Sequence, residues 1–263
     1  MKIKEVLEAL ERFAPLPLQE SYDNAGLQVG LTEAWDVSGA LLCLDVTEKV
    51  VDEAISLGCN LIVSHHPLIF HKLSQITDAN DVQRVVRKAI KNDIAIVSMH
   101  TNIDNARGGV NFKIAEKLGL ENVEFFTEQR CINNVDGASG VMGELPEPLS
   151  ASDFIALLKE VFDVQCVMAN ELLERPIRKV ALCGGAGSFL LGDAIAAGAD
   201  AFVTGEMHYH EYFAHEQEIQ IAVIGHYQSE QYTCEIFRDI IERECPQVKC
   251  YITTVNTNPI IYK

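Results

Sequence analysis

Two adjacent histidines, His65 and His66, follow directly on the apolar run Leu61-Ile62-Val63. Successive side chains of a strand point to opposite faces, so neighbours at a strand exit diverge. They suit two different ions lying side by side better than one. The strand-like runs IAIVS and IAVIG lead into His100-Thr-Asn-Ile-Asp104 and His226-Tyr-Gln-Ser-Glu230, each a histidine and a carboxylate four residues apart. Imidazole nitrogens and carboxylate oxygens without an obvious thiolate partner are the ligand set of Zn, Mn, Fe(II), Ni or Co, among which spacing does not choose. Two such ions usually mean hydrolysis, one acidifying a water and the other polarising the oxygen that gains charge. A nearby imidazole, His100 or His208, would move the proton.

These residues need elements that deliver them to one place, and a repeat supplies them. LLCLDVTEKVVDEAISLGCNLIVSHH, from Leu41, and ALCGGAGSFLLGDAIAAGADAFVTGE, from Ala181, align without gaps. Each reads as strand, turn, helix ending at a glycine, then a second strand. That is a β-α-β unit, so the expected fold is α/β, two similar halves with mostly parallel or mixed sheets. The halves are placed at residues 1–126 and 127–263. Ligands collect at the carboxyl ends of parallel strands in such sheets, where all three histidine loops fall.

Other motifs have plainer readings. Gly184-Gly-Ala-Gly187 suits a tight turn, with phosphate binding as the alternative, since it lacks the full P-loop and dinucleotide fingerprints. Asp45 with Glu48 reads as a capping box. Tyr22-Asp23-Asn24 is turn-prone. His208 and His210, an H-x-H beside Glu206, are expected to open a helix and to act as proton carriers rather than ligands. His71 and His215 read as surface residues.

At 263 residues with 48% hydrophobic content, the chain is long enough for one large domain or two small ones. No apolar run is long enough to span a bilayer, and MKIKEVLEALERF has helical periodicity instead of a signal-peptide block, so a cytoplasmic protein is expected. Eight scattered cysteines without a C-x-x-C pair read as reduced thiols, with Cys43, Cys59 and Cys183 in the core. A formal charge of −17 argues against nucleic acid and anionic membranes as partners.

YDNAGLQVG (22–30), SHHPLIF (64–70), HTNID (100–104), GGAGSF (184–189), TGEMHYHE (204–211) and GHYQSE (225–230) together resemble the signatures of the NIF-three-like family, also called GTP cyclohydrolase I type 2 homologues. The resemblance covers essentially the whole chain. It implies two intertwined α/β halves with a dinuclear metal site between them, and a ring-shaped homohexamer. It also implies His65, His66, Asp104, His226 and Glu230 as ligands of two divalent ions, with Glu230 touching both and His100 a neighbour, and a pocket role for Tyr22-Asp23-Asn24 as the alternative to turn-making. Some relatives carry a domain inserted between the halves, for which the segment between Asn122 and Arg175 is too short. The implied function is hydrolysis of a small polar or nucleotide-like substrate. A non-catalytic protein that binds or delivers metal, or engages a protein partner, is the alternative.

Overall fold

The computed structural model describes residues 1–261 and 263. The strands are β1 (Gly26–Val29), β2 (Ala40–Cys43), β3 (Leu61–Ser64), β4 (Ala95–Ser98), β5 (Glu121–Phe125), β6 (Arg130–Ile132) and β7 (Val135–Gly137). They continue with β8 (Val141–Leu149), β9 (Met168–Ala169), β10 (Ile177–Cys183), β11 (Ala201–Thr204), β12 (Gln220–Val223) and β13 (Cys250–Ile252). The helices are α1 (Ile3–Phe13), α2 (Glu48–Leu57), α3 (Asp81–Lys91), α4 (Thr101–Asn105) and α5 (Val110–Lys117). After them come α6 (Ala151–Phe162), α7 (Leu191–Ala196), α8 (His226–Glu230) and α9 (Thr233–Glu244).

The fold is mixed α/β. Contacts divide it into one unit of Met1–Ala106, Ile132–Val135 and Thr233–Ile261, and another built mainly from Arg107–Cys131 and Asp136–Tyr232. A single cut after residue 126 is therefore corrected to segments that interleave along the chain. The reason lies in the C-terminal segment: β13 pairs in parallel with β2, and α9, which leads to it, packs on β2 and α1.

The first unit holds a five-stranded sheet in the order β1-β4-β3-β2-β13. Only β1 runs antiparallel, against β4. Every residue of β2, β3 and β4 is buried, as expected of parallel strands covered on both faces. Leu41, Cys43, Ile62 and Ile96 meet Val50, Val51 and Ala54 of α2 and Val85, Val86 and Ala89 of α3 in one core cluster. Helix α2 begins at Thr47, whose hydroxyl accepts the Val50 N–H, and ends at Gly58 in the left-handed region with φ 70°. Thr47, not Asp45, is thus the cap, which corrects the capping-box reading and leaves Asp45 available for another partner.

The second unit holds a six-stranded sheet, β5-β8-β10-β11-β12-β9, parallel among β10, β11 and β12 and antiparallel at β5, β8 and β9. The repeat is visible in its register. Ala40 pairs with Leu61 in the first sheet, and Val180 with Ala201, their aligned counterparts, in the second. The repeat diverges after its second strand. The first unit has the two-sided helix α3, whereas YHEY forms only a 3-10 turn at Tyr209–Tyr212, correcting the helix expected there. Cys43, Cys59 and Cys183 are buried, as expected. Among the described residues, no helix is long and apolar enough to cross a membrane.

Candidate metal centre

In the first unit the site forms where β2, β3 and β4 end. The parallel ladder continues past the strands: His65 N–H donates to Cys43 O at 3.1 Å, His66 N–H to Leu44 O at 2.9 Å, and Met99 N–H to Ser64 O at 2.9 Å. Both histidines therefore leave β3 on a fixed backbone. Their Nδ1 atoms take partners on opposite neighbouring strands. His65 Nδ1 lies 3.0 Å from Met99 O, just beyond β4, and His66 Nδ1 lies 2.8 Å from Asp45 Oδ1, just beyond β2. His65 is fully buried and His66 half-buried.

His100 is held by a different device. Its N–H donates to Asn102 Oδ1 at 2.9 Å, and α4 is pinned by buried asparagines, Asn102 Nδ2 donating to Ala14 O and Asn105 Nδ2 to Leu18 O. His100 Nδ1 lies 2.8 Å from Asp23 Oδ1. The ring nitrogens of His65, His66 and His100 offer ligand atoms all within 4.8 Å of one another. Asp104 Oδ1 stands 3.7 Å from His65 Nε2.

Burial alone would push the Asp23 carboxyl up, but hydrogen bonds from His100 and Thr101 and the His100 charge outweigh it and hold the pKa at about 2. This is below the ordinary 3.8, so Asp23 contributes stability that is present above that value and lost as pH falls through about 2. Urea unfolding of Asp23→Asn is accordingly expected to show a shallower loss of stability than the wild type between about pH 5 and pH 2. Parallel acid limbs would refute the assignment.

In the second unit, His226 and Glu230 sit on the first and last residues of α8, which follows β12. His226 Nδ1 lies 2.9 Å from Glu206 Oε1, and its Nε2 lies 3.1 Å from Glu230 Oε2. Glu230 is buried. The glycine loop shapes this pair. Gly184 N–H donates to Asn111 Oδ1, Gly185 N–H to Ser229 Oγ and Gly187 N–H to Thr204 Oγ1. These three amides are committed inside the protein, as the tight-turn reading expects.

One pattern unites the four histidines. A carbonyl oxygen or an ionised carboxylate only accepts, so each Nδ1 facing one must be the N–H that donates. His65, His66, His100 and His226 all meet this condition, so each ring, when neutral, presents the lone pair of Nε2. Outer-shell partners fix the tautomer of metal-binding histidines in the same way. At 3.1 Å the Nε2 lone pair of His226 would face an acceptor on Glu230, an arrangement that requires a cation or a proton. The donor set therefore fits a divalent metal.

Comparison with known proteins agrees. A family model described as Duf34/NIF3 (NGG1p interacting factor 3) matches residues 1–259. The chain belongs to the DUF34/NIF3 family. A Clostridium perfringens relative named GTP cyclohydrolase 1 type 2 homolog is 36% identical over 88% of this chain and 87% of its own. A crystal structure of a Bacillus cereus protein related to NIF3 superposes with TM-score 0.90 at 26% identity, covering 100% of this chain and 99% of that one. A Staphylococcus aureus hypothetical protein gives TM-score 0.91 at 28% identity over the same shares.

Among the predicted site residues, the NIF3 fold thus brings His65, His66, His100 and Asp104 together in one unit, and His226 with Glu230 in the other. His208 is exposed on the 3-10 turn, its N–H donating to Glu211 Oε2 within its own loop. His210 is exposed beside Tyr209 and Phe213, and His215 pairs with Glu218. The residues that spacing missed are the acids behind the rings, Asp23, Asp45 and Glu206. Asp45 was within reach of the strand-exit rule, because it leaves β2 as His65 leaves β3.

A cavity of about 590 Å³ opens beside His66, lined in part by Asp45, Thr47, Lys49, Leu68, Val85 and Thr257. Its lining mixes charged and polar side chains with the apolar Val46, Leu68, Val82, Val85 and Val255.

Proposed function

We propose that this NIF3-family protein holds two divalent metal ions per chain, with His65, His66, Asp104, His226 and Glu230 as ligands, and uses them to hydrolyse a small polar or nucleotide-like molecule. The observation that carries this reading is the shared orientation of the four imidazoles, every Nδ1 facing a carbonyl or carboxylate oxygen of the protein, an orientation that suits Nε2 to a metal. The ions, when bound, supply Lewis acidity and a more acidic water. Asp45 and Glu206 orient His66 and His226. His100, backed by the Asp23 carboxylate that would stabilise its imidazolium, accepts and returns a proton at Nε2, and His208 is a second candidate for that transfer. The cavity beside His66 is of a size for the substrate. The names of the curated relatives support a purine-type substrate, GTP being the first to try.

Metal-stripped protein reconstituted with Zn, Mn, Fe, Ni or Co is expected to retain two ions per chain by elemental analysis. The metal-replete form should turn over GTP or a component of a metabolite pool, and Glu230→Gln should not. Protein that retains no metal defeats the whole reading. Metal retained without turnover defeats the hydrolase and leaves a metal-binding or delivery protein.

The family resemblance also supports self-association into a closed ring of six chains, the usual outcome of heterologous contacts that close. Light scattering at micromolar concentration should give about six times the chain mass. A monomer would remove the ring and leave the metal assignment untouched.

A further inference from the structure

Parallel pairing sends the exits of neighbouring strands to the same end of a sheet. Because β13 runs parallel to β2, with Ile252 opposite Leu42, the chain beyond it passes the end of β2, where Asp45 lies. This C-terminal strap is anchored independently of the metal centre. Thr253 N–H donates to Leu42 O at 2.9 Å, Thr254 N–H to Glu53 Oε1 at 2.9 Å and Thr254 Oγ1 to the same oxygen at 2.6 Å, while the Thr253 hydroxyl donates to Glu53 Oε2. Val255 packs against the core cluster under α2 and α3. The strap then reaches the Asp45 oxygen that His66 does not use: Thr257 Oγ1 donates to Asp45 Oδ2 at 2.7 Å, and His66 Nδ1–H to Asp45 Oδ1 at 2.8 Å.

We propose that Thr257 and Asp45 are positioning residues for His66, so that the C-terminal strap sets the ring orientation and tautomer of a metal-binding histidine. The inference rests on the metal reading above. The physical argument is one of rotational freedom. Asp45 is half-exposed and on a loop, and a carboxylate held by a single hydrogen bond rotates about its terminal torsion. A second hydrogen bond to the other oxygen fixes its plane and hence the direction from which the Nδ1–H must arrive. The chain distance between Thr257 and Asp45 explains why no local motif announces the link.

The test compares wild type, Thr257→Val and Thr257→Ser in two measurements: calorimetric titration with Zn²⁺ alone, and ¹⁵N resonances of the His66 ring in metal-free protein. Valine keeps the shape of threonine and removes the donor; serine keeps the donor. Thr257→Val is expected to bind Zn²⁺ about 10-fold more weakly, at the lower end for an outer-shell loss, and to show mixed His66 tautomers. Thr257→Ser is expected to match the wild type, with Nδ1 protonated and Nε2 bare. Unchanged affinity and tautomer in Thr257→Val overturn the proposal. A loss of affinity that Thr257→Ser does not restore also overturns it, since the strap would then matter only as packing. A wild type that binds no Zn²⁺ fails the metal reading instead, and the tautomer comparison alone then decides whether Thr257 positions the ring.

Discussion

His66→Ala is expected to weaken metal binding by more than the roughly 10–100-fold that loss of an outer-shell partner costs, because it removes a proposed ligand outright. The substitution is clean for a structural reason. The His66 side chain is part-exposed, and Asp45 keeps its hydrogen bond from Thr257, so no buried charge is stranded. His65→Ala is a poorer probe: His65 is fully buried and satisfies Met99 O, so its removal adds a cavity and an unmet carbonyl worth about 1–3 kcal/mol. Calorimetric titration with Zn²⁺, beside a thermal melt showing the fold intact, measures the effect. Wild-type affinity in His66→Ala would remove the histidine pair from the site and with it the central assignment.

The parts of this site visible in the sequence are those that follow from strand periodicity. His65, His66 and His100 were placed by the strands before them, and the repeat placed β2, α2 and β3 against β10, α7 and β11 because the same burial pattern recurs at the same spacing. The pairing of each ring with the acid behind it was not visible. Asp45 reaches His66 across a strand pair and Asp23 reaches His100 from a turn, contacts set by tertiary approach that leave no period behind. Asp45 was also masked by a competing local motif, since Asp-x-x-Glu before an apolar run imitates a capping box; Thr47 sits closer to the first helical amides and takes the cap.

The domain boundary was misplaced for a related reason. A cut between repeats assumes that each half keeps its own strands, whereas β13 completes the first unit's sheet from the far end of the chain. Sequence adjacency carries no signal for such a return. The return has chemical consequence, because the same strand brings the Thr253–Thr257 strap to Asp45. The turn at His208–Tyr212 shows the converse error, where polar and aromatic residues spaced like a helix start lack enough apolar positions to bury one face.

Gly185→Ala is expected to disturb His226 and Glu230, the pair proposed as ligands in the second unit, while sparing the fold. Gly185 has φ 59°, in the left-handed region, where a side chain costs about 1–2 kcal/mol. A Cβ there would fall well inside contact distance of Glu230 Oε1 and 3.5 Å from His226 Cε1. The obstructed atom is the end of a flexible side chain, so the carboxylate, not the backbone, gives way. Glu230 is then displaced from the His226 Nε2 that it faces at 3.1 Å. Gly205→Ala provides the contrast: its Cβ would meet Gly185 O at 2.7 Å and His226 Cα at 2.9 Å, so the backbone itself must move and stability should fall by more. Gly185→Ala should therefore melt within a few degrees of the wild type yet bind Zn²⁺ at least about 10-fold more weakly, as expected when a ligand loses its orientation. Wild-type affinity in this variant would mean that Glu230 does not ligate, and the glycine would be explained by turn geometry alone.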